Sequence, residues 1–350
     1  MPDQPGHPDQ PYREAQDRMR HTPSPEEPAA PLPAGEAGPL NDQGSPEFNV
    51  GGVERALSPK EQLEQLISYM NATYPAPDTP PPWEGGTGDP AEADRYMGHL
   101  ADRITHASML MLGSGLDHTM PGVAYGMNIA KIRDLPALSD IPDTPGEPEL
   151  LARVFVPSSP TRRWAVSLHP GGLWRGSGIS LEQHWRPDVA AAAELSGTTI
   201  LDLDYPLLPG ATLDEVVSSV HKALDYVAAQ EPASVTLWGA GSGAALAVLA
   251  AEQRSVDGLV LTNPGLGSVD KLPAELRGNR TVPAPSAWPR TLVQTALYDD
   301  TTPHPTTTEA HNATVIEYHS THTIATPEES RRRICDVADF LAAVDATNPY

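Results

Sequence analysis

The chain has one cysteine in 350 residues, Cys335, so no intrachain disulfide can form and a disulfide-stapled scaffold is excluded. Cations are scarce as well: 23 Lys and Arg stand against 46 Asp and Glu, a formal net charge of -23. Partners that demand clustered basic residues, such as a nucleic-acid backbone or an anionic membrane surface, are therefore not expected. Apolar runs are short, and none is long enough to span a bilayer. No basic n-region followed by an apolar h-region opens the chain, and together with the lone cysteine this predicts a cytoplasmic location. The length suffices for one large domain or two ordinary ones.

Residues 1–56 are rich in Pro, Gly, Glu, Asp and Gln and poor in large apolar side chains. Such a segment buries too little surface to offset its ordering entropy, and is expected to be a disordered tail. Ser58-Pro59-Lys60-Glu61 is a capping-box start with Pro at the first helical position, followed by an apolar face of Leu63, Leu66, Ile67 and Met70. A second start at Asp89-Pro90-Ala91-Glu92 leads into Tyr96, Met97, Leu100 and Ile104 at helical spacing. Residues 57–125 are thus expected to form an N-terminal helical cap. The remainder, 126–350, alternates short apolar runs with amphipathic helices, with strands expected at 127–132, 150–156, 164–168, 199–204, 234–238, 258–262, 291–296 and 314–318. That alternation predicts an α/β domain with a mostly parallel eight-stranded sheet covered by helices on both faces.

Residues 234–247 read S-V-T-L-W-G-A-G-S-G-A-A-L-A, a β-branched run turning through small residues into an Ala/Leu helix. This resembles the G-x-S-x-G nucleophile elbow. With Gly239 and Gly243 as the flanking glycines, however, Gly241 stands where the nucleophile belongs and Ser242 lies one place late. The strand ending at Leu168 is followed by His169-Pro170-Gly171-Gly172-Leu173-Trp174, which resembles an H-G-G-G oxyanion loop; glycines there let backbone N–H groups reach a developing oxyanion. Residues 203–210, L-D-Y-P-L-L-P-G, look like the D-Y-R-L-A-P-E segment of one family. Over about residues 147–343, the order and spacing of these blocks resemble the hormone-sensitive-lipase-like esterases and lipases of the α/β-hydrolase superfamily.

The resemblance implies the α/β-hydrolase fold and a small acyl ester as substrate or ligand, with no cofactor. It assigns the acid to Asp299, at the end of T-L-V-Q-T-A-L-Y-D, with Asp300 beside it, and the base to His322 of Y-H-S-T-H, with His319 in reserve. Gly171, Gly172 and the Ser242 N–H would form the oxyanion hole. His304, His311, His319 and His322 lie near one another in sequence, yet their spacing matches no helical zinc motif and no metal is expected. Two readings follow from the elbow. In one, Ser242 is the nucleophile of a serine ester hydrolase with His322 and Asp299. In the other, glycine at position 241 leaves a catalytically inactive pseudo-hydrolase that binds a small molecule or a protein partner.

Overall fold

A computed structural model of the chain describes residues 57–112, 131–133, 151–303 and 312–344, the second of these as backbone. The expected tail over residues 1–56 lies outside the described residues, as does most of the expected first strand. Eight strands form one sheet: β1 (Lys131–Arg133), β2 (Leu151–Val156), β3 (Arg163–Leu168), β4 (Thr199–Asp204), β5 (Ser234–Ala240), β6 (Gly258–Thr262), β7 (Thr291–Ala296) and β8 (Ala313–Tyr318). Their spatial order is β1-β2-β4-β3-β5-β6-β7-β8. β2 runs antiparallel to both its neighbours, and every pair from β4 through β3 to β8 is parallel.

β3, β5, β6 and β7 are buried along most of their length, as parallel strands covered on both faces are, and the polar Gln294 on β7 is fully buried and hydrogen-bonded. β8 at the edge is largely exposed, Val315 included. On one face α4 (Arg186–Ser196) and the C-terminal helix α7 (Pro327–Ala343) pack Val189, Ile334, Val337 and Leu341 against Phe155, Ile200, Trp238 and Val260. On the other, α5 (Leu213–Ala228) brings Val216, Val217, Val220 and Leu224 onto the sheet. Thr212 caps it reciprocally with Glu215, an arrangement that contributes about 1 kcal/mol. Beside it, α6 (Ser242–Ala251) has no charged side chain on any face and is buried along its length, as an all-apolar helix must be.

Among the described residues, three α-helices precede the sheet: α1 (Pro59–Thr73), α2 (Ala91–Gly98) and α3 (Leu100–Leu112). The periodicity through Ile104 predicted one helix after Asp89-Pro90; the structure breaks it at His99. The reason lies at Gly98. A Cβ there would stand 2.9 Å from the Ile179 side chain and 3.0 Å from its carbonyl, so close packing on the 179 loop selects a poor helix former where the helix turns. Leu63, Leu66, Met70, Leu100 and Ala107 form a separate small core with Ile324.

One buried polar cluster ties the sheet to α4. Asp202 on β4 is fully buried, and its carboxylate accepts from Ser167 Oγ (2.7 Å), Trp185 Nε1 (3.0 Å) and Arg186 Nε (2.9 Å). Arg186 also pairs with Glu182. Removing the carboxylate strands a buried guanidinium and an indole N–H at once. Asp202→Ala is therefore expected to lose about 3–5 kcal/mol of stability in urea unfolding, and Asp202→Asn, which keeps one acceptor, to lose less; a loss under about 1 kcal/mol would rule out this role.

Candidate active site

The C-terminal ends of β3, β5, β6 and β7 converge on a cavity of about 750 Å³. β5 passes into α6 through a turn whose apex is Gly241, at φ 52° and ψ -120°. A side chain there is strained, and the first central position of a type II′ turn, which this resembles, favours glycine. The apex is held from below. Gly241 N–H donates to the Thr262 carbonyl (2.9 Å), and the Gly241 carbonyl accepts from Gly265 N–H (2.8 Å). The flanking glycines are needed for approach: a Cβ on Gly239 would overlap the Gly243 carbonyl, and one on Gly243 would overlap the Leu168 carbonyl at the end of β3.

Facing the apex is the loop after β3. Gly171 and Gly172 adopt φ of 142° and 67°, and a Cβ on Gly171 would overlap the Arg175 carbonyl. No acceptor is recorded among the described residues for the N–H groups of Gly171, Gly172 or Ser242, and all three residues line the cavity. The loop is pinned by buried polar groups. His169 donates through Nδ1 to the Pro170 carbonyl (2.9 Å), stacks on Tyr205 at 4.1 Å, and accepts at its carbonyl from the Tyr205 hydroxyl (2.7 Å). Burial holds the His169 pKa below the ordinary histidine value, so the ring is neutral. From α2, Asp94 accepts the Gly176 N–H (3.0 Å), tying the N-terminal helices to the loop.

His322, on the turn after β8, completes the constellation. Its Nδ1 donates to Asp299 Oδ2 (2.9 Å), and its carbonyl accepts from Asn263 Nδ2 (3.0 Å). Asp299 also accepts from the Thr301 and Thr302 N–H groups and the Thr302 hydroxyl. Burial raises the Asp299 carboxyl pKa, but hydrogen bonds from His322 and Thr302 and the nearby His322 charge outweigh it and leave it below the usual carboxylate value. The other ring nitrogen, His322 Nε2, faces the apex: a Cβ on Gly241 would stand 3.8 Å from it. A hydroxyl one bond further out would be within hydrogen-bonding reach.

Each residue singled out in the sequence can now be placed. Asp299 and His322 are paired, and His322 lines the cavity with Gly171, Gly172, Gly241 and Ser242. Ser242 is buried at the first position of α6, where its Oγ accepts the Leu173 N–H (3.2 Å) beside the Tyr205 hydroxyl; no hydrogen bond to His322 is recorded. Asp300 turns to Thr301 at the surface, and His319 lies against Tyr298 outside the cavity lining. His304 and His311 fall outside the described residues. Sequence reasoning missed Pro170 as a steric element, although it stands where the H-G-G-G pattern has its first glycine: its Cβ would be 3.2 Å from a Cβ on Gly241. Also missed were Asp94, Arg175, His184 and Arg333; of these only Arg175, three residues past the glycine pair, sat beside a recognised motif.

The chain is similar in structure to an esterase from the bacterial hormone-sensitive lipase family (15% identity, 83% of this chain and 99% of that chain, TM-score 0.54). It is likewise similar to the esterase rPPE in a doubly substituted form (14% identity, 80% and 96%, TM-score 0.55) and to an esterase/lipase from an uncultured bacterium (13% identity, 80% and 97%, TM-score 0.53). No protein-family model and no curated protein matches the sequence. At these identities the likeness establishes the α/β-hydrolase fold, in agreement with the strand order.

The Asp299 pKa has a direct consequence. A carboxyl depressed on folding stabilises the protein above its unfolded pKa, and this contribution is lost as pH falls through the folded value. The stability difference between wild type and Asp299→Asn is thus expected to be constant near neutrality and to shrink as pH drops below about 4. Urea midpoints measured from pH 7 to pH 3 test this, and a gap that widens on acidification would contradict the pairing.

Proposed function

We propose that this α/β-hydrolase-fold chain is a pseudo-hydrolase that binds a small acyl ester or related carbonyl compound without forming an acyl-enzyme. The observation that carries the reading is at position 241, where the residue opposite His322 Nε2 has no side chain. The ligand carbonyl oxygen would accept from the N–H groups of Gly171, Gly172 and Ser242, cavity-lining residues for whose N–H groups no acceptor is recorded among the described residues. His322, its tautomer fixed by Asp299, would present Nε2 to the space beside the carbonyl carbon. Removing the serine of a comparable triad lowers turnover on the order of a million-fold.

Two further features support the reading. The Ser242 hydroxyl is occupied by the Leu173 N–H, and bringing it to His322 would require turning the first residue of a buried helix. The Pro170 ring occupies room that a side chain at 241 would use, so loop and elbow depart from the motif together. The competing reading, a serine esterase acting through Ser242, rests on the retained Asp299–His322 pair.

A fluorophosphonate probe and p-nitrophenyl butyrate separate the two. The wild-type chain is expected to remain unlabelled and to hydrolyse the ester no faster than His322→Ala. Gly241→Ser combined with Pro170→Gly, which clears the contact, is expected to gain labelling and at least about 100-fold in hydrolysis. Labelling of the wild type that disappears in Ser242→Ala would establish Ser242 as the nucleophile and overturn the proposal.

A further inference from the structure

The cavity contains charged groups that neither the oxyanion hole nor the Asp299–His322 pair uses. Arg175 and Arg333 both line it. Arg175 leaves the same turn as the oxyanion glycines: its N–H donates to the Gly171 carbonyl (3.2 Å), and the next residue is anchored by Asp94. Its half-buried guanidinium has no hydrogen-bond or ion-pair partner recorded among the described residues. Arg333 reaches in from α7. One nitrogen donates to Asp188 Oδ2 (3.2 Å), while its Nε is buried without a partner.

His184 lines the same cavity as both arginines. Its pKa is lowered to about 4 by burial, then by repulsion from Arg333, Arg175 and His322, so it is neutral at pH 7 and sits among three potential positive charges. This clustering runs against a chain whose net charge is -23. Burial disfavours the Arg175 charge, and the nearby Asp94 carboxylate, with no recorded hydrogen bond to it, offsets this only in part, so an anion taken up there is favourable.

We propose that Arg175 and Arg333 form a carboxylate-binding subsite, so that the cavity takes a small acidic ester: its carbonyl end at Gly171, Gly172 and the Ser242 N–H, its carboxylate on the two guanidinium groups. The planar guanidinium fork matches a carboxylate bidentately. A monoanion fits better than a phosphate dianion, because Arg333 is already shared with Asp188 and Arg175 has Asp94 as a nearby negative charge, which leaves little excess positive charge to neutralise. Trp83, Trp174, Trp185 and Trp238 also line the cavity and would enclose the apolar body between the two ends. The carbonyl half of this assignment rests on the function proposed above; the anion half stands on the two arginines.

Monomethyl adipate and dimethyl adipate are alike in body and differ in one charge, and quenching of the cavity tryptophans in the full chain reads their binding. The mono-acid is expected to bind about tenfold or more tighter than the diester. Arg175→Gln is expected to abolish that preference, Arg333→Gln to reduce it, and Lys271→Ala, at the exposed rim, to leave it intact. If Arg333→Gln unfolds through loss of the Asp188 pair, Arg175→Gln decides alone, since it breaks no recorded side-chain contact. Equal binding of both esters, or a preference that survives Arg175→Gln, would overturn the subsite and leave the carbonyl site standing. Hydrolysis of the esters by the wild type would overturn the non-covalent reading instead, with the charge preference then read in KM. Failure of both to bind would overturn both.

Discussion

The close approach of three backbone segments around Gly241 is the constraint on which the rest of the site depends. The end of β3 presses on Gly243, the start of α6 presses on Gly239, and the apex between them is fixed by hydrogen bonds to Thr262 and Gly265. Neither flanking glycine tolerates a Cβ, so the turn is specified by small residues rather than by packing volume. Because the apex is held this way, Ser242 at the start of α6 lines the cavity together with Gly171 and Gly172 of the β3 loop. The same compression leaves the Ser242 side chain directed under the loop toward Leu173.

Around that centre the Asp299 carboxylate and the His322 imidazole are paired, with the imidazole facing the apex, and among the described residues no acceptor is recorded for the N–H groups of Gly171, Gly172 and Ser242. Position 241 carries no side chain, and a Cβ there would stand 3.2 Å from the Pro170 Cβ, a contact slightly tighter than ordinary packing. Arg175 leaves the same loop as Gly171 and Gly172, with its partly buried guanidinium on the cavity wall and Asp94 as its nearest recorded negative charge.

The N-terminal helices are coupled to the same centre. Asp94 on α2 holds the Gly176 N–H, Ile179 packs on Gly98, and Trp83 and Met97 contribute to the cavity wall. Asp94 is itself shifted: burial raises its carboxyl pKa, partly offset by the Gly176 hydrogen bond and the nearby Arg175. The loop after β3 is thus held from the sheet side by Tyr205 and from the N-terminal side by Asp94.

The sequence by itself determined the strands from the second to the eighth, the capped helices, the elbow, and the positions of Asp299 and His322. These are written in local signals: parallel strands are short apolar runs, helices open with caps, and the elbow needs glycines at fixed offsets. Local signals also fixed that residue 241 carries no hydroxyl. What only the tertiary structure decided is what fills the space around that residue. The direction of Ser242 Oγ, the approach of Pro170, the break at His99 and the gathering of Arg175, His184 and Arg333 on one wall all depend on segments far apart in sequence. Each is set by steric overlap or Coulomb interaction across a few ångströms, distances that chain order does not encode.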